Sequence, residues 1–230
     1  MTLFLFDIDG TILRTDGVGR RAVAHAVEAY FGRSFPFDAV SFSGKTDPQI
    51  MREVLTLGGI ADADAHLPGL LAAFEQHMHA TITPERITVL PGVADLLDRL
   101  AARDDVVLAL LTGNLESTAF AKLRAAGLDH HFAFGAFGSD AEIRNDLPAV
   151  ALARAEQHLG HRFDPKRVVI VGDTEHDVAC ARVIGACAVA VATGHHDRAA
   201  LEAHAPDHLF DSCEDAEAFL EAVLSVEREA

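Results

Sequence analysis

Residues Leu3–Thr11, which read LFLFDIDGT, decide the fold and point to the function. Four consecutive apolar residues are typical of a strand that is buried on both faces of a parallel sheet. Asp7 and Asp9 follow this run directly, at the end of the strand where open α/β sheets bind ligands. Because side chains alternate along an extended chain, the two carboxylates point to the same side, while Ile8 points back to the core.

Two carboxylates this close repel each other unless a positive charge lies between them. Mg²⁺ prefers carboxylate, water and phosphate oxygens, so Asp7 and Asp9 indicate a magnesium site. An ordinary turn with a helix N-cap is the alternative for an isolated motif of this kind. The acidic end of a second strand, described below, favours the metal site. Gly10 lets the backbone turn without a steric conflict.

The composition limits the classes of partner. The chain has 230 residues, with 35 acidic against 19 basic ones and a formal charge of −16. This charge argues against nucleic acid or an anionic membrane as the main partner, and local positive groups must hold an anionic substrate. Only Lys45, Lys122 and Lys166 can supply an ammonium. Three cysteines without CxxC spacing and the lack of a long apolar stretch predict a soluble cytoplasmic protein. The sequence leaves open whether the protein is a monomer or a homodimer.

The chain divides into two patterns. Residues 14–86 carry apolar residues at helical spacing, with Thr46 as a typical N-cap, and hold no strong strand pattern. From Pro91 onward strands alternate with helices, which is typical of a doubly wound parallel sheet. We predict an α/β fold in which residues 1–13 and 87–230 form a Rossmann-like parallel sheet and residues 14–86 form an all-α insert. The predicted strands cover residues 3–6, 106–111, 132–137, 167–171, 186–192 and 209–210.

The strand at residues 106–111 ends in Thr112, Gly113 and Asn114. A hydroxyl, a glycine and the start of a helix together predict a cradle for a phosphate group, because a helix N-terminus offers unpaired N–H groups to an anion. The alternative is that Asn114 is only the N-cap of the next helix.

The strand at residues 167–171 leads into Gly172 and Asp173, and Asp177 follows one helical turn later. Asp173 is the candidate third carboxylate of the metal site, and Asp177 is a candidate for orienting it or balancing its charge. The alternative is an N-cap at Asp173 with a solvated Asp177. Between these strands, Arg144 is the one cation of the loop at 138–146 and could bind phosphate or carboxylate, unless it is an ordinary surface arginine.

These segments resemble the motifs of the haloacid dehalogenase superfamily in order and spacing, over essentially the whole chain. DIDGT at 7–11 is similar to its first motif, Thr112 to its second, and GDTEHD at 172–177 to its fourth. The helical insert is similar to the small α-helical cap of the family. The third motif is usually a lysine, and here Arg144 lies in the matching loop. Arginine supplies the charge but not the same compact point contact.

The resemblance implies that Asp7 is the nucleophile and Asp9 the general acid and base. It also implies that Asp7, Asp173 and the backbone carbonyl of Asp9 hold Mg²⁺, with Thr112 and Arg144 as further catalytic groups. The candidate phosphate-binding residues are Gly10, Thr11, Thr112, Gly113 and Asn114.

The expected activity is that of a magnesium-dependent phosphomonoesterase acting on a small phosphorylated metabolite through an aspartyl-phosphate. The phosphoglycolate phosphatase-like branch is the most similar in cap size and order, and Asp9 argues against the dehalogenase branch, which lacks it. The alternatives are a phosphonate hydrolase with Lys45 as a Schiff-base amine, a phosphosugar mutase, and a receiver-like phospho-acceptor without turnover. Lys45, Arg20 and Arg21 are the candidate substrate contacts from the cap.

Overall fold

The structure is a computed structural model that describes residues 1–224. Its main element is a six-stranded sheet with the order β5-β4-β1-β6-β7-β8, in which all neighbouring strands are parallel. A two-stranded antiparallel sheet, β2-β3, lies beside it. The strands are β1 (Thr2–Phe6), β2 (Leu13–Thr15), β3 (Ile87–Val89), β4 (Val106–Leu111), β5 (Gly135–Ala136), β6 (Val168–Gly172), β7 (Cys187–Val191) and β8 (His208–Phe210).

Helices cover both faces of the main sheet, so the predicted doubly wound α/β fold is confirmed. Phe4 and Phe6 of β1 pack in one apolar layer, and Leu3 and Leu5 pack in the other, as the alternation of an extended chain requires. The helices are α1 (Val18–Phe31), α2 (Asp47–Leu57), α3 (Ala63–Thr81), α4 (Val93–Ala101), α5 (Glu116–Ala126), α6 (Leu147–Leu159), α7 (Glu175–Ile184), α8 (Arg198–Glu202) and α9 (Ala216–Leu224).

Helices α1, α2 and α3 pack around a separate apolar core that includes Val23, Met51, Val54 and Phe74. The segment is helical as predicted, while its separation as a domain at residues 14–86 stays a prediction. Strands β2 and β3 pair where the chain leaves the main sheet and returns to it. No helix within residues 1–224 has the length and apolar character that crossing a bilayer requires.

The predicted strand at residues 132–137 is wrong over most of its length. Only Gly135 and Ala136 pair with β4, and the chain before them forms a 3₁₀ turn at Asp129–His131. Phe132 is buried in the core beside Phe6 rather than in a strand ladder. An aromatic residue in a core turn produces the same apolar pattern as a short buried strand.

Candidate active site

The carboxyl ends of three adjacent strands meet at one edge of the sheet. Strand β1 lies between β4 and β6, and Phe6 is in register with Leu110 and Val171. The residues that follow these strands therefore lie side by side. They are Asp7, Thr112 and Asp173, and all three are buried.

Three carboxylates form the centre of the site. Asp7, Asp173 and Asp177 each offer an oxygen within 4.8 Å of the others. Burial, followed by the repulsion of neighbouring carboxylates, raises the pKa of Asp173, and burial is also the main cause of the raised pKa of Asp7. A set of buried carboxylate oxygens that repel one another fits a hard divalent cation such as Mg²⁺.

Asp177 has both carboxylate oxygens occupied by protein donors. Oδ1 accepts a hydrogen bond from Nη2 of Arg144 at 2.6 Å, and Oδ2 accepts from the backbone N and the hydroxyl of Thr174 at 3.0 and 2.7 Å. Asp177 thereby completes the capping box of α7, whose N-cap is Thr174, and orients Arg144. Asp7 and Asp173 are the better candidates for direct contact with a cation.

Asp173 is enclosed by hydroxyl and backbone groups. The hydroxyl of Thr11 donates to its Oδ1 at 3.1 Å. A methyl group added at Gly10 or Gly194 would come within 2.4 or 1.6 Å of its Oδ2, so both glycines are needed for close approach of the backbone. The carboxylate therefore has little freedom to move away from Asp7.

Arg144 is buried beside two of these carboxylates, not exposed on a surface loop. The same nitrogen, Nη2, contacts Asp177 and lies 3.2 Å from Oδ1 of Asp7, while the buried Nε has no partner among residues 1–224. Burial by itself would lower the pKa of Arg144, but the negative charges of Asp177 and Asp7 raise it. One nitrogen of Arg144 makes both contacts, and lysine also offers a single nitrogen. Arginine and lysine therefore differ less at this position than the sequence indicates.

The carboxylate of Asp9 points away from the acidic cluster. Its Oδ2 accepts hydrogen bonds from Nδ2 of Asn114 at 2.8 Å and from Nζ of Lys122 at 2.6 Å. Its side chain is 41% exposed. The Asp9 carboxylate is therefore no longer a candidate metal ligand. The backbone carbonyl of Asp9, which the family resemblance implies, stays a candidate.

Asn114 is not the N-cap of α5, because Leu115 occupies that position. Its amide instead connects Asp9 to the hydroxyl of Thr112, which accepts from Nδ2 at 2.7 Å. Lys122, one of three lysines in the chain, lies in this site although no sequence motif points to it. The missed signal was a charge on the apolar face of the helix, between the buried Ala119 and Leu123.

The helical segment contacts the core next to Thr112. The backbone N of Asp47 donates to the carbonyl of Gly113 at 2.7 Å, and Oδ2 of Asp47 accepts from the backbone N of Leu115 at 2.9 Å. Burial raises the pKa of Asp47 to about 6, partly offset by the nearby charge of Lys122. A side chain on Gly113 would collide with the carbonyl of Lys45, at 2.1 Å.

Two further contacts fasten the helical segment to the loop at 138–146. The Arg52 guanidinium forms a two-pronged ion pair with Glu142, with distances of 2.5 and 2.9 Å. The hydroxyl of Thr46 donates to the carbonyl of Glu142 at 2.6 Å. The helical segment therefore covers the edge of the sheet where the carboxylates lie.

A cavity of about 1000 Å³ lies between the helical segment and the core, with Asp7, Asp9 and Asp173 in its wall. Arg20 and Lys45 also line it, but their charges are engaged: Lys45 pairs with both oxygens of Glu53 at 2.7 Å. The Arg20 guanidinium donates to backbone carbonyls of its own segment and lies over two phenylalanine rings. Arg21 is exposed, bonds to the Asp16 carbonyl and does not line this cavity.

Comparison with known proteins gives a consistent picture. The family model described as haloacid dehalogenase-like hydrolase matches residues 1–185. The chain is 34% identical over 145 residues to a phosphoglycolate phosphatase from Synechococcus elongatus, covering 62% of this chain and 63% of that protein. It is 30% identical over 202 residues to a phosphoglycolate phosphatase from Chromobacterium violaceum, covering 86% of this chain and 88% of that one. A solved structure of a hydrolase from Pseudomonas syringae has the same fold, with a TM-score of 0.73 at 21% identity and coverage of 96% and 98%.

Proposed function

The chain belongs to the haloacid dehalogenase-like hydrolases and is an enzyme of the phosphatase kind, and on that premise we propose that it is a magnesium-dependent phosphomonoesterase. Its substrate is a small phosphorylated metabolite, and the reaction passes through an aspartyl-phosphate. The observation that carries the proposal is the meeting of Asp7, Asp173 and Arg144 at one sheet edge, with Asp9 beside them on a separate set of hydrogen bonds.

In the first step, an oxygen of the Asp7 carboxylate attacks the phosphorus, and the bond from phosphorus to the leaving oxygen breaks. Asp9 gives its proton to the departing alkoxide, which leaves as an alcohol. Arg144 lies 3.2 Å from Asp7 and offsets part of the repulsion between the anionic nucleophile and the anionic substrate. The hydroxyl of Thr112 and the backbone amide of Gly113 would hold the phosphoryl oxygens. The side-chain amide of Asn114 is engaged by Asp9 and Thr112, and the backbone amides of Gly10 and Thr11 donate to the carbonyls of Leu13 and Ile8.

In the second step, Asp9 takes a proton from a water molecule, whose oxygen attacks the phosphorus of the aspartyl-phosphate. The bond between phosphorus and the Asp7 oxygen breaks, which releases inorganic phosphate and restores the carboxylate. Asp9 is protonated again and ready for the next cycle. Acid and base assistance of this kind contributes about 10²–10⁴-fold to a rate.

Asp7, Asp173 and the backbone carbonyl of Asp9 would hold Mg²⁺, and Asp177 would orient the site through Arg144. When bound, the ion supplies positive charge to the phosphoryl oxygens and separates the repelling carboxylates. Arg20 and Lys45 line the same cavity, but Arg20 is bound to backbone carbonyls and Lys45 to Glu53. Contact with the leaving part of the substrate would require them to exchange these partners.

The reaction chemistry does not identify the substrate, because the residues of the cap determine substrate specificity. The two phosphoglycolate phosphatase relatives make 2-phosphoglycolate the first compound to test. The pairing of Lys45 with Glu53 argues against a phosphonate hydrolase, since a Schiff base needs a free amine. Membership of a hydrolase family argues against a receiver-like module, and nothing in the site favours a mutase.

The test is hydrolysis of p-nitrophenyl phosphate by the purified protein with and without EDTA, followed by a panel of phosphorylated metabolites. We expect activity that EDTA removes and Mg²⁺ restores. Asp7→Asn should abolish turnover, while Asp104→Asn, a change in an exposed loop, should have no effect. Wild-type turnover in Asp7→Asn would contradict covalent catalysis by this residue.

A further inference from the structure

Lys122 carries a buried charge that the proposed reaction does not yet use. Its side chain is 5% exposed, and Nζ donates to Oδ2 of Asp9 at 2.6 Å and to Oδ1 of Asn114 at 2.5 Å. Asn114 in turn donates to the same Asp9 oxygen and to Thr112. The three side chains Lys122, Asn114 and Asp9 thus form a closed triangle of hydrogen bonds.

An ammonium in this position has a cost that an apolar residue would avoid. Burying a charge is unfavourable unless it is paired and hydrogen-bonded, and replacing buried ion pairs by apolar residues is often neutral or stabilising. The neighbouring positions on this face of α5, Ala119 and Leu123, are apolar and pack in the core. Packing therefore does not explain a charged residue at position 122, and we look for its role in the groups that it contacts.

The partner of this charge lies at the wall of the cavity. All three residues line the cavity, but the side chain of Asp9 is 41% exposed, whereas Lys122 and Asn114 are buried. Both donors contact the same carboxylate oxygen, Oδ2, so the other oxygen is left for a reacting group. An exposed aspartate without such contacts would sample several side-chain rotamers.

We propose that Lys122 is a positioning residue that holds the Asp9 carboxylate in the orientation from which it exchanges protons with the leaving group and with water. The inference rests on the proposed function, in which Asp9 acts as acid and then as base. It predicts that loss of Lys122 impairs those steps that need Asp9 and leaves the attack by Asp7 intact. A misplacement of about 1 Å in such a group can cost about 10²-fold in rate.

The two steps can be separated with p-nitrophenyl phosphate in a rapid-mixing experiment. Nitrophenolate leaves without needing a proton, so its first release reports attack by Asp7, while steady turnover requires Asp9 to activate water. For Lys122→Met we expect a burst of nitrophenolate close to one equivalent of enzyme, at a rate within about 3-fold of the wild-type first step. Steady turnover should fall by about 10²-fold.

The reference and the control are chosen from the same chain. Asp9→Asn should show the same burst followed by slow turnover, and Lys166→Met, at an exposed lysine, should behave as the wild type. If Lys122→Met does not fold, Lys122→Gln removes the charge while keeping a polar side chain, and the same kinetic separation is expected.

The outcomes distinguish the inference from the proposed function. If the burst and the steady rate of Lys122→Met fall together, or if only KM rises, Lys122 has a structural or substrate-binding role and the inference is wrong. Wild-type kinetics in Lys122→Met also overturn it. If Asp9→Asn shows neither a burst nor slower turnover, the proposed function itself is wrong, whatever Lys122→Met does.

Discussion

Replacing Arg144 tests whether its contact with the carboxylates is that of a point charge. Its Nη2 makes both the 2.6 Å contact with Asp177 and the 3.2 Å contact with Asp7. A lysine places its nitrogen one bond short of this point, about 1.3 Å away. We therefore expect Arg144→Lys to be clearly less impaired than Arg144→Met.

The magnitudes follow from the burial of the three groups, whose side chains are 2–8% exposed. Removing one partner of a buried ion pair costs about 3–5 kcal/mol of stability, and we expect Arg144→Met to lie in this range. Losing one preorganised donor to a transition state costs about 10²–10³ in kcat, which is the expected effect of the same variant. For Arg144→Lys the longer contacts should cost about 1.4 kcal/mol, or about 10-fold in kcat.

The assay is steady-state hydrolysis of p-nitrophenyl phosphate at saturating Mg²⁺, combined with urea unfolding of each variant. Arg124→Met, which removes an exposed guanidinium, is the matched control and should match the wild type in both measurements. If Arg144→Lys is as impaired as Arg144→Met, the planar guanidinium is required and the point-charge argument is refuted.

Three further predictions concern the helical segment and the candidate metal site. The pKa of Asp47 in the folded protein is about 6, above its ordinary value of 3.8, so its ionisation destabilises the fold as pH rises from about 4 through 6. Thermal unfolding of Asp47→Asn should therefore show a stability gain over wild type that grows by about 1–2 kcal/mol between pH 5 and pH 7.5, whereas a constant difference would contradict this. Arg52→Met breaks the ion pair between the helical segment and Glu142, so we expect KM for p-nitrophenyl phosphate to rise about 3–10-fold with little loss of stability. An unchanged KM would show that this pair does not hold the helical segment over the site. Because the pKa values of Asp7 and Asp173 are raised, the metal-free protein loses stability as pH rises through those values. Mg²⁺ should therefore raise Tm more at pH 8 than at pH 5, and an equal increase at both would argue against binding at these carboxylates.

The sequence by itself determined the sheet and the position of its acidic edge. Apolar runs that end in Asp7 and Asp173 are local patterns, and parallel strands place their carboxyl ends at one edge whatever the details of packing. The helical character of residues 18–81 follows from local periodicity in the same way. The short strand at Gly135–Ala136 is the exception, because Phe132 fills a core turn with the residue type of a strand.

Only the tertiary structure decided which partners the charged side chains have. Asp9 and Lys122 are 113 positions apart, and Arg144 and Asp177 are 33 apart, so no local pattern connects them. Side-chain direction depends on the packing of whole helices against the sheet, and a rotation of α5 would have placed Lys122 in solvent. For this reason the sequence located the acidic groups of the site, while the position of each countercharge became visible only in the folded chain.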